Sequence, residues 1–183
     1  MIPMNEQWKK VIDLQEQNAH MLKSYFFEHV FFTPQWWILL LISISLWVTW
    51  LFLVDKSRLQ SLLMIGLLIS IQAIVYDDVG ISMAAWNYPY PLSYFTSRLD
   101  VVDIAILPVS YMLLYQYFPK WKTYLIATVA FCLFASFIAE PLFVHFNLYD
   151  IFHWKYWYSA PIYMVMGIVV KGIVDWLDKR QSI

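Results

Sequence analysis

Residues 36–54 read WWILLLISISLWVTWLFLV, a run without one charged side chain. A bilayer core accepts such a run as a helix of about 20 residues, because backbone N–H and C=O groups must then find each other where water is absent. Four further runs can cross in the same way: 59–76, 99–118, 121–145 and 157–176. Pro34 stands at a tolerated first-turn position before the first run, and DKSR at 55–58 stops it. Asp77 and Asp78 end the second, while the third carries Asp100, Asp103 and Pro108 and is the least pure. Glu140 lies inside the fourth and Lys171 inside the fifth.

The composition agrees: 61% of residues are hydrophobic and only 14% charged, where a soluble domain has roughly 25% charged residues. The expected fold is all-α, a polytopic integral membrane bundle of about five transmembrane helices, with residues 1–183 forming one membrane domain. A net charge of −1 and no dense Lys/Arg cluster argue against nucleic acid as a partner. Cys132 is the only cysteine, which excludes an internal disulfide and a cysteine-based zinc site.

Residues 5–31 project as an amphipathic helix. Trp8, Val11, Ile12, Ala19, Leu22, Phe26 and Val30 share one stripe, opposite Glu6, Lys9, Lys10, Asp13, Glu16, His20, Lys23 and Glu28. It could lie in the membrane interface, as Trp8 and Phe26 would favour, or pack on the bundle's own loops, a partner subunit or a second copy; its mixed charges favour packing on protein over binding anionic lipid. The first apolar run follows a charged amphipathic stretch, so no cleavable signal peptide is expected and that span is expected to act as its own insertion signal.

Basic residues in short connections tend to stay cytoplasmic. Lys56, Arg58, Lys120, Lys122, Lys179 and Arg180 fall on one side of a five-span chain, and Arg98 and Lys155 on the other. This predicts a multi-pass cell-membrane protein with its N-terminus outside and C-terminus cytoplasmic, with Lys9, Lys10 and Lys23 as the dissenting bases.

That topology gathers Asp77, Asp78, Asp100, Asp103 and Glu140 at the outer level. Counting about 1.5 Å per residue from Lys122 puts Glu140 roughly 27 Å up its helix, at the outer shoulder of the hydrocarbon. Plain structural roles stand beside functional ones. Thr96 or Ser97 can cap the third helix, with Asp100 favoured in its first turn, and Asp77 and Asp78 can mark where the second span leaves the membrane. Asp103 is one turn deeper and escapes that account. Intramembrane acids usually face a bundle interior or a water-filled cavity, which makes Asp103 and Glu140 candidates for acid/base chemistry; pairing with Arg98 or Lys155 is the structural alternative. Asp100 and Asp103 could share a divalent ion but form a weak metal motif, and no cofactor is indicated.

His145, Asp150, His153 and Lys155 lie in the aromatic stretch HFNLYDIFHWKYWYS, which reads as an interfacial belt or as the wall of a ligand pocket. The Tyr-Pro-Tyr-Pro turn of AAWNYPYPLSYF is expected to fold over the same surface. Lys171 and Asp175, one turn apart, read as an ion pair whose lysine snorkels to the inner interface.

The order DIAILP (103–108), YQYFPKW (115–121), AEPL (139–142) and WKYWYSAPIY (154–163) resembles a family of small multi-span membrane proteins from spore-forming Gram-positive bacteria, over roughly residues 80–175. The resemblance implies an integral membrane location and no particular activity. A fainter likeness is to the small membrane subunits of bacterial lycopene cyclases. Here glutamate precedes proline at Glu140-Pro141 and the second acidic motif is missing, so that activity is not carried across. Three functions fit the residues: a protein that binds or senses a ligand, lipid or partner; an enzyme acting on a lipophilic substrate through Glu140 or Asp103; and a small proton- or cation-coupled transporter.

Overall fold

The computed structural model describes residues 5–181. Helix α1 (Glu6–Tyr25) begins where the Asn5 side chain accepts the Gln7 N–H, and it runs into a π turn over Phe26–Val30. None of its side chains is buried. Its contacts lie at the C-terminal end, where the Lys23 ammonium stands 5.8 Å from the Tyr94 ring and Phe26 packs against Tyr94.

Among the described residues, four helices are long and apolar enough to cross a membrane. They are α2 (Pro34–Leu53), α3 (Leu59–Ser82, entered through a 3₁₀ turn at Lys56–Arg58), the continuous pair α5 (Trp121–Phe134) and α6 (Glu140–His145), and α7 (Tyr156–Gln181). The fifth expected span is shorter: a π turn over Val102–Ile106 leads into α4 (Leu107–Tyr117). The chain is thus an all-helical membrane protein.

The second span does not stop at Asp77 and Asp78, as the sequence suggested, but continues to Ser82. The helix tolerates both acids because each has partners. Asp77 turns inward to two hydrogen-bond donors, and Asp78 turns outward to Arg98.

Two prolines shape the bundle. Pro108 has no N–H for the Ile104 carbonyl, and the Trp47 indole N–H of α2 supplies that bond instead at 3.0 Å. Pro141 follows a second mid-helix π turn, Ala135–Ala139, which joins α5 to α6. The main core is built from α3, α4, α5 and α7, around Ile65, Ile69, Tyr111, Met112, Tyr124 and Met166. Gly167 lets these helices close up, since a Cβ there would run into the Tyr111 ring and the Tyr124 hydroxyl.

The two ends of the bundle differ in chemistry. At one end Trp86–Asn87 (β1) pairs antiparallel with Asp150–Ile151 (β2), clipping together the α3–α4 and α6–α7 connections. At the other, Arg58 donates to the Gln116 carbonyl and Ser61 to Asp178, among Lys56, Lys120, Lys122, Lys179 and Arg180. The first is the strand end and the second the basic end.

Candidate functional site

Just below the β1–β2 pairing, Asp77 and Asp103 line a cavity of about 60 Å³ with Trp86, Tyr88, Tyr149, Trp154 and Tyr163. Each acid arrives from a different element. Asp77 is on the buried face of α3, one turn above Ala73, and Asp103 is in the π turn that opens the α4 segment. Strand alternation at WNY sends Trp86 and Tyr88 back under the clip, and both donate to Asp77 Oδ1 at 2.7 Å.

Glu140 borders a second cavity of about 100 Å³, which shares Tyr88, Val102, Leu107, Tyr149 and Tyr163 with the first. The Tyr163 hydroxyl donates to Glu140 Oε1 at 2.9 Å. Ser159 lies beside the same carboxyl and accepts from the Trp154 indole at 2.9 Å.

Each of these three acids is more than nine-tenths buried, and each keeps one oxygen without a hydrogen-bond partner: Asp77 Oδ2, Asp103 Oδ2 and Glu140 Oε2. An unpaired buried polar atom costs about 1–3 kcal/mol, so these three acids mark the candidate site. Burial pushes the Tyr88 phenol well above its ordinary value, with the Asp77 charge adding to it. The Tyr149 phenol is pushed up by the same desolvation.

A second layer surrounds them. Arg98 Nη1 donates to Asp78 Oδ1 at 2.9 Å, and its Nε lies 3.9 Å from Asp100 and 4.0 Å from Asp103. The Thr96 hydroxyl donates to Asp100 Oδ2 instead of capping a helix N–H; the Leu99 carbonyl starts that helix.

The remaining expected site residues lie elsewhere. His145 is exposed at the end of α6, against Phe146. Asp150 and Lys155 are exposed on a broad open cleft on the other side of the β1–β2 clip, and His153 is exposed beside them. The structure therefore separates an inner group, Asp77, Asp103 and Glu140, from an outer one. Trp86, Tyr88, Tyr149, Ser159 and Tyr163 went unnoticed in the sequence. Their signal was there for Ser159 and Tyr163, four apart on one face of α7, but the other three depend on the strand pairing.

Among the described residues no three histidine, cysteine or carboxylate side chains converge as a metal-ligating group. Comparison of the chain with protein-family models, curated proteins and solved structures finds no match. The geometry alone speaks for this site. Five carboxylates stand against one guanidinium, and the inner three sit among aromatic side chains, of which Trp86, Tyr88 and Tyr163 donate to them.

Proposed function

We propose that this protein lies in the cell membrane with its N-terminus outside, its strand end outward and its basic end cytoplasmic, and that the crevice binds a small ammonium-type cation. The orientation rests on the bases of the connections: six lie at the basic end, whereas the strand-end connections have Arg98, already tied to Asp78, and Lys155. The resemblance to small multi-span membrane proteins supports the membrane location.

The observation that carries the binding reading is the trio of buried carboxylate oxygens without hydrogen bonds, on acids that line cavities walled by aromatic side chains. Carboxylate plus aromatic face is the chemistry that recognises an organic ammonium group. Size narrows it further. Cavities of about 60 and 100 Å³ hold a few waters or a solute of that bulk. Sites for drug-sized ligands are about 300–1,000 Å³, so a polyene or lipid chain finds little support here as a substrate.

The test is thermal unfolding of the detergent-purified chain with methylammonium chloride titrated against sodium chloride at constant ionic strength. Binding gives a rise in Tm that grows with the logarithm of methylammonium concentration, lost in Asp103→Asn and in Asp77→Asn. Absence of a rise, or an equal rise in both variants, overturns the reading.

A further inference from the structure

The buried residues of the span Trp121–His145 are Tyr124, Thr128, Cys132, Ser136 and Glu140. They are spaced by four throughout, and every one carries a hydroxyl, thiol or carboxyl. Its exposed large hydrophobic residues are Trp121, Leu125, Ile126, Leu133, Phe134, Phe137, Ile138 and Leu142. This span is inverted relative to a soluble helix, with lipid-compatible side chains outward and a file of polar groups inward.

A facing file runs down α7 at the same spacing: Ser159, Tyr163, Gly167, Lys171 and Asp175. The two are stitched together by Tyr163 to Glu140, by the Tyr124 hydroxyl donating to the Gly167 carbonyl at 3.0 Å, and by Tyr111 of α4, whose hydroxyl donates to the Tyr163 carbonyl at 2.5 Å and lies 3.7 Å from Cys132 Sγ. From Tyr124 to Glu140 the file climbs about 24 Å, most of the hydrocarbon thickness of about 30 Å.

Its basic-end terminus is a charged cluster. Lys171 is 1% exposed and held by the Pro119 carbonyl at 3.1 Å and Asp175 at 3.2 Å, with Tyr115, Trp121 and Tyr124 rings 4.5–5.2 Å away. Tyr115 donates to Asp175 at 2.9 Å and lies 3.3 Å from Asp178. The strand-end terminus is the crevice, with Glu140 Oε2 unpartnered.

Two members of the file decide its reading. Thr128 and Ser136 are fully buried; the Ser136 hydroxyl has no hydrogen-bond partner, and the Thr128 hydroxyl lies beside the Tyr124 hydroxyl one turn away. A purely structural seam would turn both hydroxyls onto the carbonyl one turn back. Free of that bond, both can accept and donate, as a proton relay requires. The middle of the seam, at Tyr111 and Cys132, is packed, so a species that needs a hole cannot pass.

We propose that this seam conducts protons between the crevice and the Lys171–Asp175–Asp178 cluster, with transient water bridging the gaps at Ser136 and Thr128. Each hydroxyl, and the Cys132 thiol between Thr128 and Ser136, takes a proton on its lone pair and releases its own to the next group. Each group must then turn its new proton back before the next transfer, and one positive charge has moved. The path needs no cation in the crevice, so it stands apart from the binding reading.

The test uses the full chain in potassium-loaded liposomes, with valinomycin setting the membrane potential and a pH-sensitive dye inside. Proton entry is expected well above that of protein-free vesicles, falling at least tenfold in the double variant Thr128→Val, Ser136→Ala. Removing these two hydroxyls should leave Tm equal or higher, which separates a relay from a structural role. A wild-type rate equal to empty vesicles overturns the proposal, as does an undiminished rate in the double variant. Should the double variant fold poorly, the wild-type comparison and Ser136→Ala alone decide by the same criteria. Methylammonium binding in detergent is read independently, so either idea can fail alone.

Discussion

The Trp86 indole occupies the space that a side chain on Gly80 would need, and from there its N–H reaches Asp77 at 2.7 Å. A methyl group at residue 80 would meet the six-membered ring of the indole, which has no flexible end to move aside. Gly80→Ala should therefore push Trp86 off Asp77 and cost about 1–3 kcal/mol, the usual penalty for overpacking. Thermal unfolding measures the loss, and methylammonium affinity should fall with it. An alanine variant with unchanged Tm and affinity would show that the contact is not tight.

The Trp47 indole N–H answers the carbonyl that Pro108 leaves unpaired. Trp47→Phe should cost about 0.6 kcal/mol, up to about 1.7, the range measured for side-chain hydrogen bonds in membrane helices. In a Pro108→Ala background the restored amide competes for that carbonyl, so the same change should cost less. A double-mutant cycle reads the difference. Strict additivity would remove the link between proline and indole.

Lys171 does not reach out to the interface as a lysine near a helix end commonly does; it is buried among three aromatic rings and paired with Asp175. Breaking one side of a buried pair costs about 3–5 kcal/mol, whereas replacing both partners by apolar residues is often close to neutral. Asp175→Leu alone should destabilise strongly, and adding Lys171→Met should recover much of the loss. Denaturation in mixed micelles distinguishes these. A double variant no better than the single one would sink the pairing.

Asp55 lies in the α2–α3 connection, where the Ser57 hydroxyl and backbone N–H both donate to it and Arg58 adds a third bond. These bonds hold its carboxyl below the ordinary value of 3.8. A depressed folded value means that the stabilisation is present above the unfolded value and fades as pH falls past it. Tm should therefore drop more steeply between pH 5 and pH 3 in the parent chain than in Asp55→Asn. Parallel curves would assign no such role to Asp55.

Apolar runs identified the spans, because a helix in lipid needs nothing else to be recognised. Ends were harder. Asp77 looked like an exit because its partners, Trp86 and Tyr88, lie beyond the helix and return to it only through the β1–β2 clip, a pairing of two residues with no pattern of its own. Lys171 looked like a snorkelling lysine because its aromatic neighbours come from Tyr115, Trp121 and Tyr124, far away along the chain. Asp103 and Glu140 were legible, since an acid in an apolar run has few uses. The spacing of Tyr124, Thr128, Cys132, Ser136 and Glu140 was also in plain view, but its apolar neighbours on every side hide the stripe until burial singles it out.

The π turn at Ala135–Ala139 amounts to one residue inserted into an otherwise regular α-helix. Deleting a single residue there would restore the ordinary register and swing everything beyond it by about 100°. Glu140 would then leave the inward file for another side of the helix, with the composition of the span almost unchanged. In this protein an acid's address is set by counting, and a one-letter gap in the chain is enough to change it.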